Sequence, residues 1–251
     1  MASLKKHLII AFNAYRRNFA TLIASIIIIT LASLIFAIPA ALLVTLESER
    51  FQSNESFQPS LSFQSLFLLD SIGVAFTLLL LSLLVTIYLS SGFVGVCYYG
   101  VRRKVKLNTF LKVIKKRGIS YFLATAILGL IFLMILLSFT VFLISFHLSE
   151  EIMQLFLRLI LLLILPFFVL YGPAIIAGKK VANSIEQSIK LGINNYFSLL
   201  ALSLIFVATS SADLIAQPII SLAVSLINYF FVMPIFQISL CSIYIEKTKR
   251  R

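Results

Sequence analysis

The sequence predicts an all-α integral membrane protein, one domain over residues 1–251 with six transmembrane helices. The first observation is composition: of 251 residues 61% are hydrophobic and 12% are charged, and the mean hydropathy is +1.07. The second is that its apolar runs are long enough to cross a hydrocarbon core about 30 Å thick. The third is that Lys and Arg are confined to a few segments. A soluble domain is about 45–50% apolar and roughly 25% charged, so the composition excludes a soluble globular enzyme.

The apolar runs define the spans and the connections between them. The first run is too long for the apolar core of a signal peptide, so it is interpreted as an uncleaved span. The connection at 47–70 is rich in Ser, Gln and Phe, and we expect an amphipathic element on the outer surface there, with an ordinary loop as the alternative. The predicted spans are residues 19–46, 71–98, 119–146, 152–177, 195–216 and 219–245.

The distribution of charge orients these spans. Apart from Arg50 and Arg158, every Lys and Arg lies at the N-terminus, between spans two and three, between spans four and five, or at the C-terminus. With six spans all four segments lie on one side, and the opposite side carries mainly Glu and Asp. The positive-inside rule then predicts a multi-pass protein of the cell (plasma) membrane with both termini in the cytoplasm.

Amphipathic segments precede three of the spans, at residues 4–17, 105–117 and 181–193. In the second, apolar residues recur at i, i+3, i+4 and i+7, the spacing of one helix face. We therefore expect three hairpins, each preceded by a cytoplasmic interfacial helix, in internal repeats 1–104, 105–180 and 181–251. Convergence of simple hairpins is the alternative. The three junctions are Arg17-Asn18-Phe19, Ser120-Tyr121-Phe122 and Asn195-Tyr196-Phe197.

The second amphipathic segment is the most basic, and its cations are expected to contact lipid. A helix with an apolar stripe and lysines beside it lies in the headgroup plane against anionic lipid. Membrane lipids are thus the predicted partners, with a homo-oligomer or a membrane protein as a further partner and no nucleic acid. The predicted headgroup contacts are Lys106, Lys112, Lys115, Lys116 and Arg117.

Polar residues within spans are the candidate ligand-binding residues, because burying them in hydrocarbon is costly. They are Arg158 in span four, and Asn228 and Gln237 in span six. Arg158 has an alternative role as an anchor or an ion pair with Glu151 or Asp213. Interhelical hydrogen bonding is the alternative for Asn228 and Gln237.

Sequence motifs of catalysis or cofactor binding are not recognised. HExxH, GxSxG and Walker patterns are missing. His7 and His147 fall on opposite sides of the predicted topology, and Cys97 and Cys241 are interpreted as small packing residues. We predict no enzyme activity, no cofactor and no metal site.

Residues 166–197, PFFVLYGPAIIAGKKVANSIEQSIKLGINNYF, resemble a segment of certain prokaryotic membrane proteins. They include the membrane domain of some bacterial glycerophosphodiester phosphodiesterases and six-span relatives of unknown function. The shared features are a Pro-containing apolar run, a short amphipathic helix with a Ser near its end (Ser188), and a polar-aromatic junction. The resemblance implies a six-helix membrane domain with no established activity. We expect no phosphodiesterase activity, because residues 1–251 include no phosphodiesterase domain.

The expected function is therefore non-enzymatic: binding or helping to transport a lipid or small apolar molecule. This function predicts an enclosed cavity lined by residues such as Arg158, Asn228 and Gln237. A membrane scaffold or assembly factor is the alternative, and it predicts a filled core and an oligomer interface. An enzyme with an unrecognised motif predicts a tight cluster of ionisable groups.

Overall fold

The computed structural model describes residues 2–53, 63–144, 150–211 and 218–249, and the long elements in these ranges are helices. A π-helical turn, Asn228–Val232, joins the last two helices directly. The predicted all-α class is confirmed for the described residues. The helices are α1 (Ala2–Ser53), α2 (Phe63–Gly100), α3 (Leu107–Ile144), α4 (Glu150–Phe168), α5 (Tyr171–Ile176), α6 (Val181–Asn194), α7 (Tyr196–Ser211), α8 (Pro218–Ile227) and α9 (Met233–Lys249).

Among the described residues, five helical segments are long and apolar enough to cross a membrane. The pair α6 and α7, bent by 97° at its break, is a sixth candidate. Large apolar side chains project from these segments, such as Ile35 and Val141 with 68% and 67% exposed, as expected for surfaces in contact with lipid. A membrane protein with five or six candidate crossings is thus supported, and six spans in three hairpins stay a prediction. The five segments are Leu4–Leu46, Gly73–Gly100, Leu107–Phe142, Phe156–Ile176 and Val224–Lys249.

Helices extend into both ends of the segment 47–70, and the amphipathic surface element expected there stays a prediction. Helix α1 continues to Ser53 and α2 begins at Phe63, whereas residues 54–62 lie outside the described part of the chain. The local sequence explains why α1 continues beyond residue 46. Glu and Gln are good helix formers, and no Gly or Pro interrupts the chain between residue 47 and Pro59.

The first and third predicted junctions are helix breaks with the same geometry. Asn18 leaves helical geometry inside α1 (φ −114°, ψ 15°), and Asn195 ends α6 (φ −129°, ψ 21°). Each asparagine Nδ2 donates to the carbonyl four residues earlier, that of Ala14 at 2.9 Å and that of Leu191 at 2.8 Å. Asparagine favours such breaks because its side chain competes with the helix for backbone partners.

The second junction differs from the prediction. Ser120 lies inside α3, so residues 107–117 are the first turns of one helix of 38 residues and not a separate interfacial helix. No asparagine stands at this junction to compete for the backbone. Gly118 instead allows close packing of α2, since a Cβ there would lie 2.5 Å from Tyr88 Cε2. The three-unit repeat stays a prediction.

Asn18 also ties α1 to the connection between α2 and α3. Its side chain is buried, its Nδ2 donates to the Gly100 carbonyl at 3.2 Å, and its Oδ1 accepts from the Val105 N–H at 2.7 Å. Arg17 Nη2 donates to the same Gly100 carbonyl at 2.6 Å, and Thr21 Oγ1 donates to the Val105 carbonyl at 2.8 Å. These side chains supply the partners that backbone groups lose where α2 ends.

Ser188 performs the same task where α4 ends and α5 begins. The fully buried Ser188 Oγ donates to the Phe167 carbonyl at 3.0 Å and accepts from the Leu170 N–H at 3.1 Å. One turn further along α6, a Cβ at Gly192 would lie 2.6 Å from the Pro166 carbonyl oxygen. The missing side chain therefore lets α6 approach the backbone of α4 closely enough for the Ser188 bonds.

A third break lies at the π-helical turn before α9. Pro234 has no N–H, so the carbonyl of Phe230, four residues earlier, has no α-helical donor. Tyr15 Oη donates to that carbonyl at 3.1 Å. The hydroxyl of α1 thus satisfies the freed group and fixes α9 against α1.

Three clusters of buried apolar side chains complete the packing of the described residues. The first joins α1, α2, α3 and α9, and includes the fully buried Cys97 and Cys241 as free thiols. The second joins α5, α6, α7 and α9 around Leu199 and Tyr244. A third cluster, of Val94, Val113 and Ile176, joins α2, α3 and α5. Helix α9 contributes to the first two clusters, and α5 contributes to the last two.

We predict that Asn18→Ala lowers the free energy of unfolding by about 1–3 kcal/mol, because the buried Val105 N–H loses its acceptor. Asn13→Ala is the matched control, since Asn13 is exposed on the same helix. Thermal unfolding in detergent measures the difference, and equal Tm values for the two variants would contradict the role given to Asn18.

Ser188→Ala is expected to lower the free energy of unfolding by about 1–3 kcal/mol, because the buried Leu170 N–H is left unsatisfied. The control is Ser184→Ala, whose equally buried hydroxyl bonds only within α6, to the Val181 carbonyl at 2.6 Å. Denaturant unfolding of both variants measures how much free energy of unfolding each one loses. A greater loss for Ser184→Ala would rule out Ser188 as the main support of this break.

Candidate functional site

The four basic segments of the sequence meet at one end of the helix bundle. Lys6 Nζ forms an ion pair with Glu246 Oε2 at 2.8 Å, which joins the N-terminal segment to the C-terminal one. Arg17 bonds the Gly100 carbonyl at the start of the second segment. Tyr244 Oη donates to Gln187 Oε1 at 3.1 Å, which joins α9 to α6. Residues scattered along the chain therefore form one basic surface.

A basic cleft of about 420 Å³ lies on this surface, between the start of α3 and the turn after α5. Arg103, Lys112, Lys116 and Arg117 provide four cations, and no carboxylate of the described residues lines the cleft. Such a concentration of cationic donors without a lining carboxylate is suited to a phosphate or carboxylate group of a ligand. The lining residues are Tyr99, Arg103, Thr109, Lys112, Val113, Lys116, Arg117, Ile176 and Ala177.

Local packing holds the two arginines of the cleft. The Arg103 guanidinium lies over the Tyr99 ring, 5.6 Å from its centroid. Arg117 packs against Gly178, which has a positive φ of 105°. A Cβ at Gly178 would lie 2.9 Å from Arg117 Nη2, so a glycine satisfies both the turn and the close approach of the guanidinium.

A second cavity, of about 320 Å³, lies deeper along α3 and is mostly apolar. Its polar groups are the Thr125 and Tyr171 hydroxyls, 2.8 Å apart, with Tyr121 and Gln237. The Tyr121 and Tyr171 rings are stacked, with centroids 5.5 Å apart. This apolar cavity is lined by Tyr121, Thr125, Leu128, Gly129, Phe132, Leu165, Phe168, Val169, Tyr171, Gly172 and Gln237.

The three candidate ligand-binding residues are not brought together in the apolar cavity, which contains only Gln237. Asn228 Nδ2 donates to the Thr209 carbonyl at 2.7 Å, an interhelical bond between the π-helical turn and α7. Arg158 is exposed on α4. Its expected partners, Asp213 and the side chain of Glu151, lie outside the described residues, as does His147.

The five predicted headgroup residues divide into two groups. Lys112, Lys116 and Arg117 line the basic cleft, whereas Lys106 and Lys115 are exposed outside it. Sequence reasoning missed Arg103 as a site residue and missed the apolar cavity altogether. The spacing of Tyr121, Thr125 and Leu128 places them on the helix face of Arg117, but the cavity also needs residues of α4, α5 and α9, which spacing within α3 does not reveal.

Sequence spacing also missed a buried serine–histidine pair. His7 Nδ1 lies 2.9 Å from Ser242 Oγ, and His7 Nε2 lies 3.8 Å from Glu246 Oε2. His7 and Ser242 are 1% and 4% exposed, which closes the serine off from a substrate. We interpret the pair as a link between α1 and α9.

The described residues contain no group of His, Cys, Asp and Glu that could hold a metal ion.

Comparison with known protein families, with curated proteins and with solved structures finds no match to this chain. The resemblance carried by residues 166–197 therefore stays a prediction, although its Ser188 has the defined structural role described above.

Proposed function

We propose that this chain is a non-enzymatic membrane protein that binds anionic lipid headgroups in its basic cleft, in order to hold or help transport a lipid. The cleft is the observation that carries the proposal, because four cations converge there on a site with no lining carboxylate in the described residues. Each Lys or Arg near an anionic membrane surface contributes about 1 kcal/mol of attraction.

The position of the cleft in the molecule agrees with this function. Its arginines come from the connection after α2 and from α3, directly beside helices apolar enough to span a bilayer. A guanidinium suits phosphate because its planar donors bind two oxygens at once. By the positive-inside rule this end faces the cytoplasm of the cell, where anionic lipids give the leaflet its negative potential.

The proposal is tested by the stabilisation that lipid confers on purified protein. Phosphatidylglycerol is expected to raise Tm more than phosphatidylcholine, since a ligand of the folded state stabilises it. Combining Lys112→Gln, Lys116→Gln and Arg117→Gln should weaken the phosphatidylglycerol effect by roughly tenfold or more in lipid concentration.

The matched control combines Lys104→Gln, Lys106→Gln and Lys115→Gln, which removes the same charge from exposed positions outside the cleft. This control should keep the response to phosphatidylglycerol. Equal losses in both variants would mean diffuse attraction and would refute a cleft site. A clean oligomer that responds to neither lipid would favour the scaffold function instead.

The orientation predicts opposite labelling at the two ends. Cys97 and Cys241 are fully buried, so the natural thiols give little background. Ser48→Cys should react with an impermeant maleimide added outside intact cells, and Lys115→Cys should react only after the cytoplasmic face is opened, since both positions are exposed. The reverse pattern would overturn the proposed topology.

A further inference from the structure

The basic cleft and the apolar cavity share one face of α3. Arg117 lines the cleft, and Tyr121, Thr125, Leu128 and Phe132 line the cavity. These positions follow one another at intervals of four, four, three and four residues in one continuous helix. Residues three and four apart are neighbours on a helix surface, so the cavity begins one turn below the cleft on the same stripe.

The wall opposite α3 comes from one stretch of chain in both spaces. Ile176 and Ala177, at the end of α5, line the cleft. Phe168, Tyr171 and Gly172, where α4 passes into α5, line the cavity. Both spaces therefore lie between α3 and the same neighbouring stretch of chain, one beyond the other.

The polarity of this shared face changes along its length. The cleft has its four cations, whereas the cavity is mainly aliphatic and aromatic. Tyr121, whose ring stacks on Tyr171, is the first cavity residue on the stripe after Arg117. Gln237 lines the cavity from α9, and its amide forms no hydrogen bond with the described residues. A half-buried amide in such a wall has both a donor and an acceptor to offer a ligand.

We propose that the two spaces are the head and tail ends of one binding site for a single anionic phospholipid. The phosphate lies among Arg103, Lys112, Lys116 and Arg117, one acyl chain lies along α3 from Tyr121 to Phe132, and Gln237 donates to an ester carbonyl. This inference rests on the function proposed above and adds the chain-binding half and the ligand class.

The length of the stripe fits this occupant. The eleven helical steps from Tyr121 to Phe132 rise about 16 Å along the helix, and one leaflet of the hydrocarbon core is about 15 Å deep. A chain whose headgroup is held in the cleft therefore reaches the inner end of the cavity at Phe132. A soluble phosphate compound would use the cleft and leave the cavity face without a function.

The test uses the absence of tryptophan from the sequence. Phe132→Trp places a single tryptophan at the inner end of the cavity. Phosphatidylglycerol brominated midway along its chains should quench this tryptophan saturably and more strongly than brominated phosphatidylcholine. Phe76→Trp, at an exposed position of α2 with 67% of its side chain accessible, should be quenched equally by both lipids.

A variant that fills the apolar cavity tests the chain-binding half of the site independently. A Cβ at Gly129 meets no atom within 4 Å, so Gly129→Leu adds volume to the cavity without a clash at the first atom. The lipid preference of the Phe132→Trp probe should be lost in Gly129→Leu and in the cleft variant. Gly73→Leu on α2, where a Cβ also meets no atom within 4 Å, should retain it.

Native mass spectrometry gives a second readout that needs no tryptophan. Gly129→Leu should lose the bound phosphatidylglycerol that Gly73→Leu retains. Equal retention of phosphatidylglycerol by the two variants would overturn the single-lipid site. A Phe132→Trp probe that does not distinguish the two lipids would overturn it as well. In either case a cleft-dependent rise in Tm would still support headgroup binding. If inorganic phosphate alone reproduced the cleft-dependent rise, or no such rise occurred, lipid binding at the cleft would itself be refuted.

Discussion

The described structure depends on satisfying backbone groups where its long helices break. An unsatisfied N–H or C=O is costly inside a bilayer, where no water can replace the lost partner. Asn18 supplies partners where α2 ends, Ser188 where α4 passes into α5, and Tyr15 at the turn before Pro234. In each of these three cases the side chain comes from another part of the chain, so the bond also fixes one helix against another.

These breaks determine where the cations are placed. The Asn18 bonds hold the connection that carries Arg103, and the Ser188 bonds hold the turn into α5 that leads to Gly178, against which Arg117 packs. The basic cleft is thus built on two satisfied helix breaks. A break that left its backbone unpaired would loosen both the bundle and the geometry of its basic end.

Individual residues show which parts of the fold and of the basic cleft follow from the sequence. Asn195 was expected to mark a junction because of its polar-aromatic context, and the chain bends there by 97°. The same reasoning was wrong at Ser120, where no side chain competes for the backbone and α3 continues. Lys112, Lys116 and Arg117 were predicted together from their helix, whereas Arg103 joins them only because the connection folds back over Tyr99.

The sequence by itself determined the all-α class, the long apolar helices and the clustering of positive charge, because these follow from composition and periodicity within one segment. Only the tertiary structure decided that His7 contacts Ser242, that Tyr15 bonds the Phe230 carbonyl, and that the basic cleft and the apolar cavity share one face of α3. The physical reason is that contacts between distant segments depend on how helices pack. A hydropathy pattern shows which faces are apolar, but it does not specify which of many apolar faces will meet.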